Sequence, residues 1–212
     1  LVGRLHHHRV EVAPGEVGRY VFLPGDPGRC EPIARFFDDP VLVAKNREYE
    51  TWTGTLDGER VSVTSTGIGC PSASIGMEEL VKVGADTFVR VGTSGAMQPD
   101  IHPGDLGVIQ AAIRDEGTTL HYLPVEFPAV ADLDVTRALA VGARSTGRTV
   151  HVGISQSKDS FYGQHEPGRM PVAHRLAERW SAWMAGGAIC SEMEAAALYI
   201  VASTLRVRAG GI

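Results

Sequence analysis

Short apolar runs rich in β-branched residues alternate along this chain with stretches of helical periodicity, and this alternation limits the fold more than any other feature. The apolar runs, most of them bounded by Gly, Pro or Asp, are residues 20–23, 41–43, 61–64, 87–91, 106–111 and 150–154. The helical stretches are residues 72–83, 133–143, 171–184 and 192–205. Strands that alternate with helices favour a mostly parallel or mixed sheet covered by helices. The sequence therefore predicts an α/β protein.

The chain has no internal repeat and no low-complexity linker that would divide it. The polar segment at residues 115–119 is too short to separate two domains. Residues 205–212, LRVRAGGI, resemble the entry to a further strand. We therefore expect a single domain over residues 1–212, and we expect it to lack its C-terminal end, where a last strand and helix would follow.

Composition narrows the class of protein. A hydrophobic content of 43% is enough for a sizeable core, and a net charge of -5 lacks the basic surface typical of nucleic-acid binding. The chain contains no apolar run of the ~20 residues that a membrane helix needs, and residues 1–10 lack the apolar core of a signal peptide. Three scattered cysteines without C-x-x-C spacing argue against a disulfide framework and a zinc site. We expect a soluble, cytoplasmic protein that binds neither nucleic acid nor membranes.

Glycine-bearing loops follow three of the predicted strands, at residues 24–29, 65–72 and 92–96. Ligands of α/β sheets bind beyond the carboxyl ends of strands, where glycine lets backbone N–H groups approach an anion. Arg29 and Arg90 stand at such ends, and arginine matches phosphate geometry. Arg90 also adjoins interior-type residues, so its charge needs a partner. These loops predict an oxyanion site, although each alone is also typical of an ordinary tight turn and none matches a Walker or dinucleotide pattern.

Two further segments carry candidate ligand-binding side chains. Glu192 and Glu194 open an Ala-rich helical stretch, either as favourable first-turn carboxylates or as ligands for sugar hydroxyls. Phe161 and Gln164 lie in a turn-rich segment, where an aromatic ring can stack on a base and an amide can donate and accept hydrogen bonds. A core role for Phe161 is the alternative.

Seven motifs follow one another in a characteristic order: PGDPGR, NREYETW, STGIGCPSASI, FVRVGTSGA, VEFPAVAD, DSFYGQ and SEMEAAAL. In this order they resemble the nucleoside phosphorylases of the hexameric type, over residues 20–208. The motifs VEFPAVAD and FYGQ favour the uridine branch of that family over its purine branch, whereas EMEAAAL is shared by both.

The resemblance implies a Rossmann-like three-layer α/β/α sandwich with a central mixed sheet. It implies reversible phosphorolysis of uridine to uracil and ribose 1-phosphate, with inorganic phosphate as co-substrate and no cofactor. Purine nucleoside phosphorolysis is the alternative reaction. A hydrolytic nucleosidase is less favoured, because it does not need Arg29, Arg47 and Arg90 together. A non-catalytic nucleoside-binding protein on the same fold is also less favoured, because the arginines and Glu194 are all present.

The resemblance also implies roles for particular residues. The phosphate site would comprise Gly25, Arg29, Arg90 and Thr93, with Arg47 supplied by a neighbouring subunit. The ribose site would comprise Met193, Glu194 and a histidine near the N-terminus, either His7 or, by preference, His8. The base site would comprise Phe161 and Gln164, with Arg169 in place of an arginine that many relatives carry closer to the glutamine. A potassium ion at a dimer interface would be held by Glu48, Ile68 and Ser72. The expected assembly is a hexamer built from dimers.

Overall fold

The structure, a computed structural model, describes residues 9–212. In this part of the chain the strands are Tyr20–Leu23 (β1), Asp38–Asn46 (β2), Tyr49–Leu56 (β3), Glu59–Thr64 (β4), Thr87–Arg90 (β5), Gly95–Ala96 (β6), Leu106–Asp115 (β7), Ala129–Val130 (β8), Val150–Lys158 (β9), Cys190–Glu192 (β10) and Arg208–Gly211 (β11). The α-helices are Cys30–Ala34 (α1), Cys70–Lys82 (α2), Leu133–Ser145 (α3), Phe161–His165 (α4), Ala173–Ala185 (α5) and Ala195–Leu205 (α6).

All eleven described strands join one mixed sheet. Its order is β2-β3-β4-β1-β5-β11-β7-β9-β10-β6, and β8 pairs with β7. Strands β4, β1, β5 and β11 are parallel neighbours, and so are β7, β9 and β10. The β2–β3–β4 meander and the contact of β11 with β7 are antiparallel. The prediction of an α/β fold around a mixed sheet is therefore confirmed.

Helices cover both faces of the sheet, as two adjacent glycines of β11 make clear. A Cβ atom on Gly210 would lie 2.5 Å from the side chain of Val135 in α3. A Cβ atom on Gly211 would lie 2.9 Å from the hydroxyl of Tyr199 in α6. Because successive residues of a strand point to opposite faces, α3 and α6 lie on opposite sides of β11. The close approach on both sides explains why this strand carries glycine.

Helix α6 is the centre of the largest core cluster. Residues 195–202 are all buried, which is the pattern of a helix that is enclosed on every side. Its Tyr199 hydroxyl donates to the carbonyl of Ile109 at 2.9 Å, beside a register shift in β7 between Ile109 and Ala111. This bond satisfies a backbone carbonyl where the strand is irregular.

The sequence-based prediction missed several elements, among them α1, α4, β6, β8 and β10, and two differences near the site have a clear physical reason. Strand β3 was not predicted, because polar Thr51 and Thr53 occupy its buried positions. Their hydroxyls bond across to Thr64 and Ser62 of β4 at 3.0 and 2.7 Å, which makes their burial tolerable. The helical pattern that begins at Glu192 becomes helix only from Ala195, because Glu192 belongs to β10. The described helices include none with the length and apolar character needed to cross a membrane.

Candidate active site

Arg90, the last residue of β5, is buried and bonded on both sides. Its Nη2 atom lies 2.6 Å from Oε2 of Glu194, and its Nη1 atom donates to the carbonyl of Leu23 at 2.9 Å. Its guanidinium also lies against Gly25, where a Cβ atom would stand 3.3 Å from Nη2. The partner that the sequence required for this arginine is therefore Glu194, and the glycine loop leaves room for the guanidinium.

Glu194 connects distant parts of the fold. It follows β10, which is separated from β5 by β11, β7 and β9 in the sheet, yet its carboxylate contacts Arg90 at the end of β5. Its Oε1 atom accepts the backbone N–H of Gly69 at 2.7 Å, just before α2 begins. The residue is only 4% exposed. The guanidinium and the amide give this buried carboxylate charge-assisted hydrogen bonds that offset the loss of solvent around it.

Glu192 has a different set of hydrogen-bond partners from Glu194. Its Oε2 atom accepts the backbone N–H groups of Glu194 and Ala195, both at 2.7 Å. Its Oε1 atom accepts the hydroxyls of Ser155, at 3.0 Å, and Ser157. The loss of solvent around this carboxyl raises the pKa of Glu192, while these donors lower it. Glu192 therefore holds the start of α6 and leaves Glu194 to face Arg90.

Arg29 and Thr93 lie near the same strand end. Arg29 closes a short 3-10 helix, Pro27–Arg29, whose start is capped by Asp26 through the N–H of Gly28 at 2.9 Å. The Arg29 Nη1 atom donates to the carbonyl of Val91 at 3.0 Å, directly beyond β5. Thr93 is exposed and lines a cavity of about 260 Å³ together with Arg90 and Glu192.

The candidate base-binding residues lie on α4. Ser160 caps this helix by accepting the N–H of Gly163 at 3.0 Å. Phe161 is 51% exposed, and its ring centroid lies 4.2 Å from that of His165. Gln164 borders a second cavity of about 400 Å³, and its Oε1 atom lies 2.6 Å from the Ser191 hydroxyl. Gln164 therefore contacts the segment that carries the ribose candidate Glu194, three residues after Ser191.

Met193 lies in that same segment, between the two glutamates. It is partly buried, and its carbonyl accepts the thiol of Cys70 at 3.2 Å. Arg169 lies on the surface instead. Its Nε atom is 2.6 Å from Glu166, its guanidinium lies 5.2 Å from the ring centroid of Tyr162, and it does not line the cavity that Gln164 borders.

The β2–β3 hairpin carries the candidates for the subunit interface. Arg47 is exposed in its turn, with a left-handed φ of 55°. Glu48 accepts the hydroxyl of Ser72 at 2.8 Å, and hydrogen bonds from its own N–H and from Ser72 lower the pKa of Glu48. Ile68, in the loop before α2, is 78% exposed. The structure thus joins Glu48 to Ser72.

His8 and His7 lie outside the described residues. The chain just after them is anchored to α2, because the N–H groups of Arg9 and Val10 donate to Oε2 of Glu79 at 2.6 and 2.8 Å. Asn46, the last residue of β2, donates to the carbonyl of Arg9 at 2.9 Å.

Several polar residues that border the cavity of Gln164 were not identified from the sequence, among them Asp115, Gln156 and Lys158. Gln156 and Lys158 are buried at the end of β9, and Asp115 ends β7. The run SQSKD, polar throughout although it ends a strand, was the signal that could have revealed them.

The fold and the cleft define an α/β protein in which an arginine-rich strand end meets a buried carboxylate. A family model described as the Phosphorylase superfamily matches residues 19–212. The uridine phosphorylase of Treponema pallidum is 51% identical over 205 residues, which cover 97% of this chain and 80% of that protein. The uridine phosphorylase of Thermococcus kodakarensis is 48% identical over 205 residues, with coverages of 96% and 74%. The guanosine phosphorylase of Halorubrum lacusprofundi is 41% identical over 201 residues, with coverages of 95% and 79%.

These matches run through the whole sheet and through every candidate loop of the described chain. The chain belongs to the phosphorylase superfamily. The family membership that the ordered motifs indicated is therefore confirmed.

Proposed function

We propose that this protein catalyses the reversible phosphorolysis of uridine to uracil and ribose 1-phosphate. The observation that carries the proposal is the contact between Arg90 and Glu194, 2.6 Å apart in a buried cleft. It sets a phosphate-binding group beside a group suited to ribose hydroxyls, which is the arrangement that attack of phosphate on C1′ requires. The similarity to uridine phosphorylases at 51% and 48% identity supports the choice of nucleoside.

In the proposed phosphate site, Arg90 and Arg29 bind the oxygens of phosphate, and Thr93 adds a hydroxyl donor. Gly25 belongs to this site because its missing side chain leaves room beside the Arg90 guanidinium. Arg47 completes the site from a neighbouring subunit. Phosphate is a co-substrate here, and the chemistry requires no cofactor.

In the proposed nucleoside site, Glu194 accepts hydrogen bonds from the ribose 2′- and 3′-hydroxyls while Met193 packs against the sugar. Phe161 stacks near the base and ribose, and Gln164 bonds the edge of uracil. We retain His8 as the candidate for the ribose 5′-hydroxyl. Arg169 contacts the base only after it leaves its surface pair with Glu166.

The reaction breaks the C1′–N1 bond, and the electron pair of that bond leaves with uracil. Positive charge develops on the ribose, and a phosphate oxygen held by Arg90 then forms the new bond to C1′. Gln164 stabilises the departing uracil anion with hydrogen bonds that strengthen as the charge grows. Positioning of the two substrates therefore supplies much of the proposed rate enhancement.

We propose further that the protein works as a homo-oligomer, a hexamer built from dimers. Apolar side chains on the edge strand β2 and around α2 support an interface there, because Val41, Leu42, Ile68 and Ile75 are 57%, 50%, 78% and 44% exposed. Glu48 and Ser72 lie at the same place. An ionised carboxylate beside a hydroxyl fits an oxygen-preferring cation, so we propose that these two and the backbone of Ile68 hold potassium.

We also propose that the chain is one domain of such an enzyme and that it works in the cytoplasm. One continuous sheet through all described strands supports the single domain. Three free, buried cysteines fit a reducing compartment.

The test is release of uracil from uridine with and without inorganic phosphate, with the sugar product identified. Phosphorolysis predicts release that depends on phosphate and yields ribose 1-phosphate. Release of free ribose at the same rate without phosphate would make the protein a hydrolase, and binding without turnover would make it a nucleoside-binding protein.

A further inference from the structure

A chain of hydrogen bonds runs behind Gln164, along the wall of the larger cavity. Asp115 Oδ2 accepts from Nε2 of Gln156 at 2.7 Å. Oε1 of Gln156 lies 2.5 Å from the Ser191 hydroxyl oxygen, and Oε1 of Gln164 lies 2.6 Å from it on another side. Lys158 Nζ donates to the same hydroxyl oxygen at 2.7 Å. Ser191 is therefore the point where three polar side chains meet.

The proton count at Ser191 decides how Gln164 is oriented. A serine hydroxyl has one hydrogen to donate and two lone pairs that accept. The bond to Asp115 fixes the amide of Gln156 with its oxygen toward Ser191, so the hydroxyl hydrogen goes to Gln156. The ammonium of Lys158 occupies one lone pair. The hydroxyl has no second hydrogen for Gln164, so that side chain must act as the donor.

The two ends of a glutamine amide are assigned from their hydrogen-bond partners. In this network Gln164 therefore turns its NH₂ group toward Ser191, and its oxygen faces the cavity. We propose that Ser191, held by Gln156 and Lys158, is a positioning residue that presents the oxygen of Gln164 to the base. The inference rests on the proposed function, because it names the groups that orient the base-binding amide of that site.

This orientation selects among bases by their hydrogen-bond pattern. An oxygen facing the cavity accepts the N3–H of uracil, whereas cytosine offers a lone pair at the same position and would be repelled. The second N–H of Gln164 remains to donate to a carbonyl oxygen of uracil. Without Ser191 the amide can rotate and present either end, so discrimination between the two bases should fall.

Lys158 has the surroundings that this role needs. It is 5% exposed, and burial lowers the pKa of its ammonium, while attraction to Glu192, Glu194 and Asp115 opposes that change. A lysine that donates to Ser191 keeps one lone pair of the hydroxyl occupied and prevents the hydroxyl from accepting a different partner.

The test is a double-mutant cycle of Ser191→Ala and Gln164→Ala, with kcat/KM for uridine and KM for phosphate measured in each protein. We expect Ser191→Ala to lower kcat/KM for uridine roughly tenfold, the usual scale of one hydrogen bond, and to leave KM for phosphate within about twofold. In the Gln164→Ala background the same change should have little further effect, because Ser191 acts through Gln164. Calorimetry should find weaker uracil binding in Ser191→Ala and no such loss for cytosine.

Two further variants separate positioning from mere support of the fold. Ser191→Thr keeps the hydroxyl and should retain most of the activity, and Ser191→Cys keeps the volume but is a weak hydrogen-bonding group and should lose it. Ser62→Ala is the matched control, because it removes a buried hydroxyl that accepts from Gly18 and pairs with Thr53, away from the cavity. It should cost stability but leave kcat/KM for uridine unchanged.

The inference is overturned if Ser191→Ala or Ser191→Cys keeps kcat/KM for uridine within twofold of the unmodified protein. It is also overturned if the loss is equally large in the Gln164→Ala background. An unmodified protein without phosphate-dependent uridine cleavage would instead contradict the proposed function, which keeps the two failures distinct.

Discussion

At the scale of single residues, the pairing of Arg90 with Glu194 has the largest consequences. Their side chains are only 10% and 5% exposed, so each charge depends on the other for compensation. The surface pair of Arg35 and Glu31 has a similar N–O distance, 2.7 Å compared with 2.6 Å. Its side chains, however, are 71% and 52% exposed. Exposed pairs contribute little, whereas loss of one buried partner strands the other charge.

Replacement of Arg90 by Ala should therefore lower the free energy of unfolding and raise the KM for phosphate or abolish turnover. We expect the free energy of unfolding to fall by about 3–5 kcal/mol, because Glu194 is left buried without its guanidinium. Glu194→Gln in the same chain should recover part of that loss, while the double variant stays inactive with phosphate. Urea unfolding and the KM for phosphate measure the two effects, with Arg35→Ala as the exposed control. A double variant no more stable than Arg90→Ala would contradict this account.

The three cysteines lead to a prediction about chemical reactivity. Burial raises the pKa of the Cys30 and Cys190 thiols to about 11, and it raises the pKa of Cys70 further. Since only the thiolate reacts, roughly one such thiol in a thousand is reactive at about pH 8, far fewer than for an exposed cysteine. Iodoacetamide should label the folded protein slowly at that pH, faster as the pH rises toward the thiol pKa, and at all three sites in denaturant. Rapid labelling of the folded protein would show that the thiols are accessible.

At the scale of elements, one buried hydrogen bond joins α6 to β7. The Tyr199 hydroxyl donates to the carbonyl of Ile109 where the register of β7 shifts. Tyr199→Phe keeps the ring but leaves that carbonyl without its donor, so the free energy of unfolding should fall by about 1–3 kcal/mol. Tyr162→Phe, at a residue that is 54% exposed, is the control and should change it little. Equal unfolding energies for Tyr199→Phe and the unmodified protein would show that the contact does not contribute.

The elements also show how far sequence reasoning reaches. Hydrophobic periodicity indicated β1, β5 and most long helices, because their apolar residues face the core in the usual pattern. It missed β3, whose buried threonines are satisfied only by partners on β4. The apolar neighbours of Arg90 required a partner for its charge but could not identify Glu194, since that contact joins the ends of strands that are not neighbours in the sheet. The polar network at Gln156 and Lys158 was missed because its partners Asp115 and Ser191 come from the two strands that flank β9, β7 and β10.

At the scale of the whole molecule, the proposed site is shared between subunits. Arg47 lies in an exposed turn next to apolar surface, which suits a residue that reaches a neighbour's phosphate site. Mixed oligomers of Arg47→Ala and Glu194→Ala subunits should regain part of the activity that each lacks alone, because some sites then contain both intact groups. Activity assays after mixing and refolding measure this, with light scattering for the assembly. A fully active monomer would refute the shared site.

We propose that this protein cleaves uridine with phosphate and selects uracil by its edge. The most direct measurement is kcat/KM in the presence of phosphate for uridine, thymidine, inosine, adenosine and guanosine. A site built to bond one base edge rejects bases that leave its polar groups unpaired, by up to ~10⁴-fold. We predict that uridine exceeds inosine and guanosine strongly and that Gln164→Ala removes uridine turnover far more than phosphate affinity. Comparable values for uridine and a purine nucleoside in the unmodified protein would contradict the account.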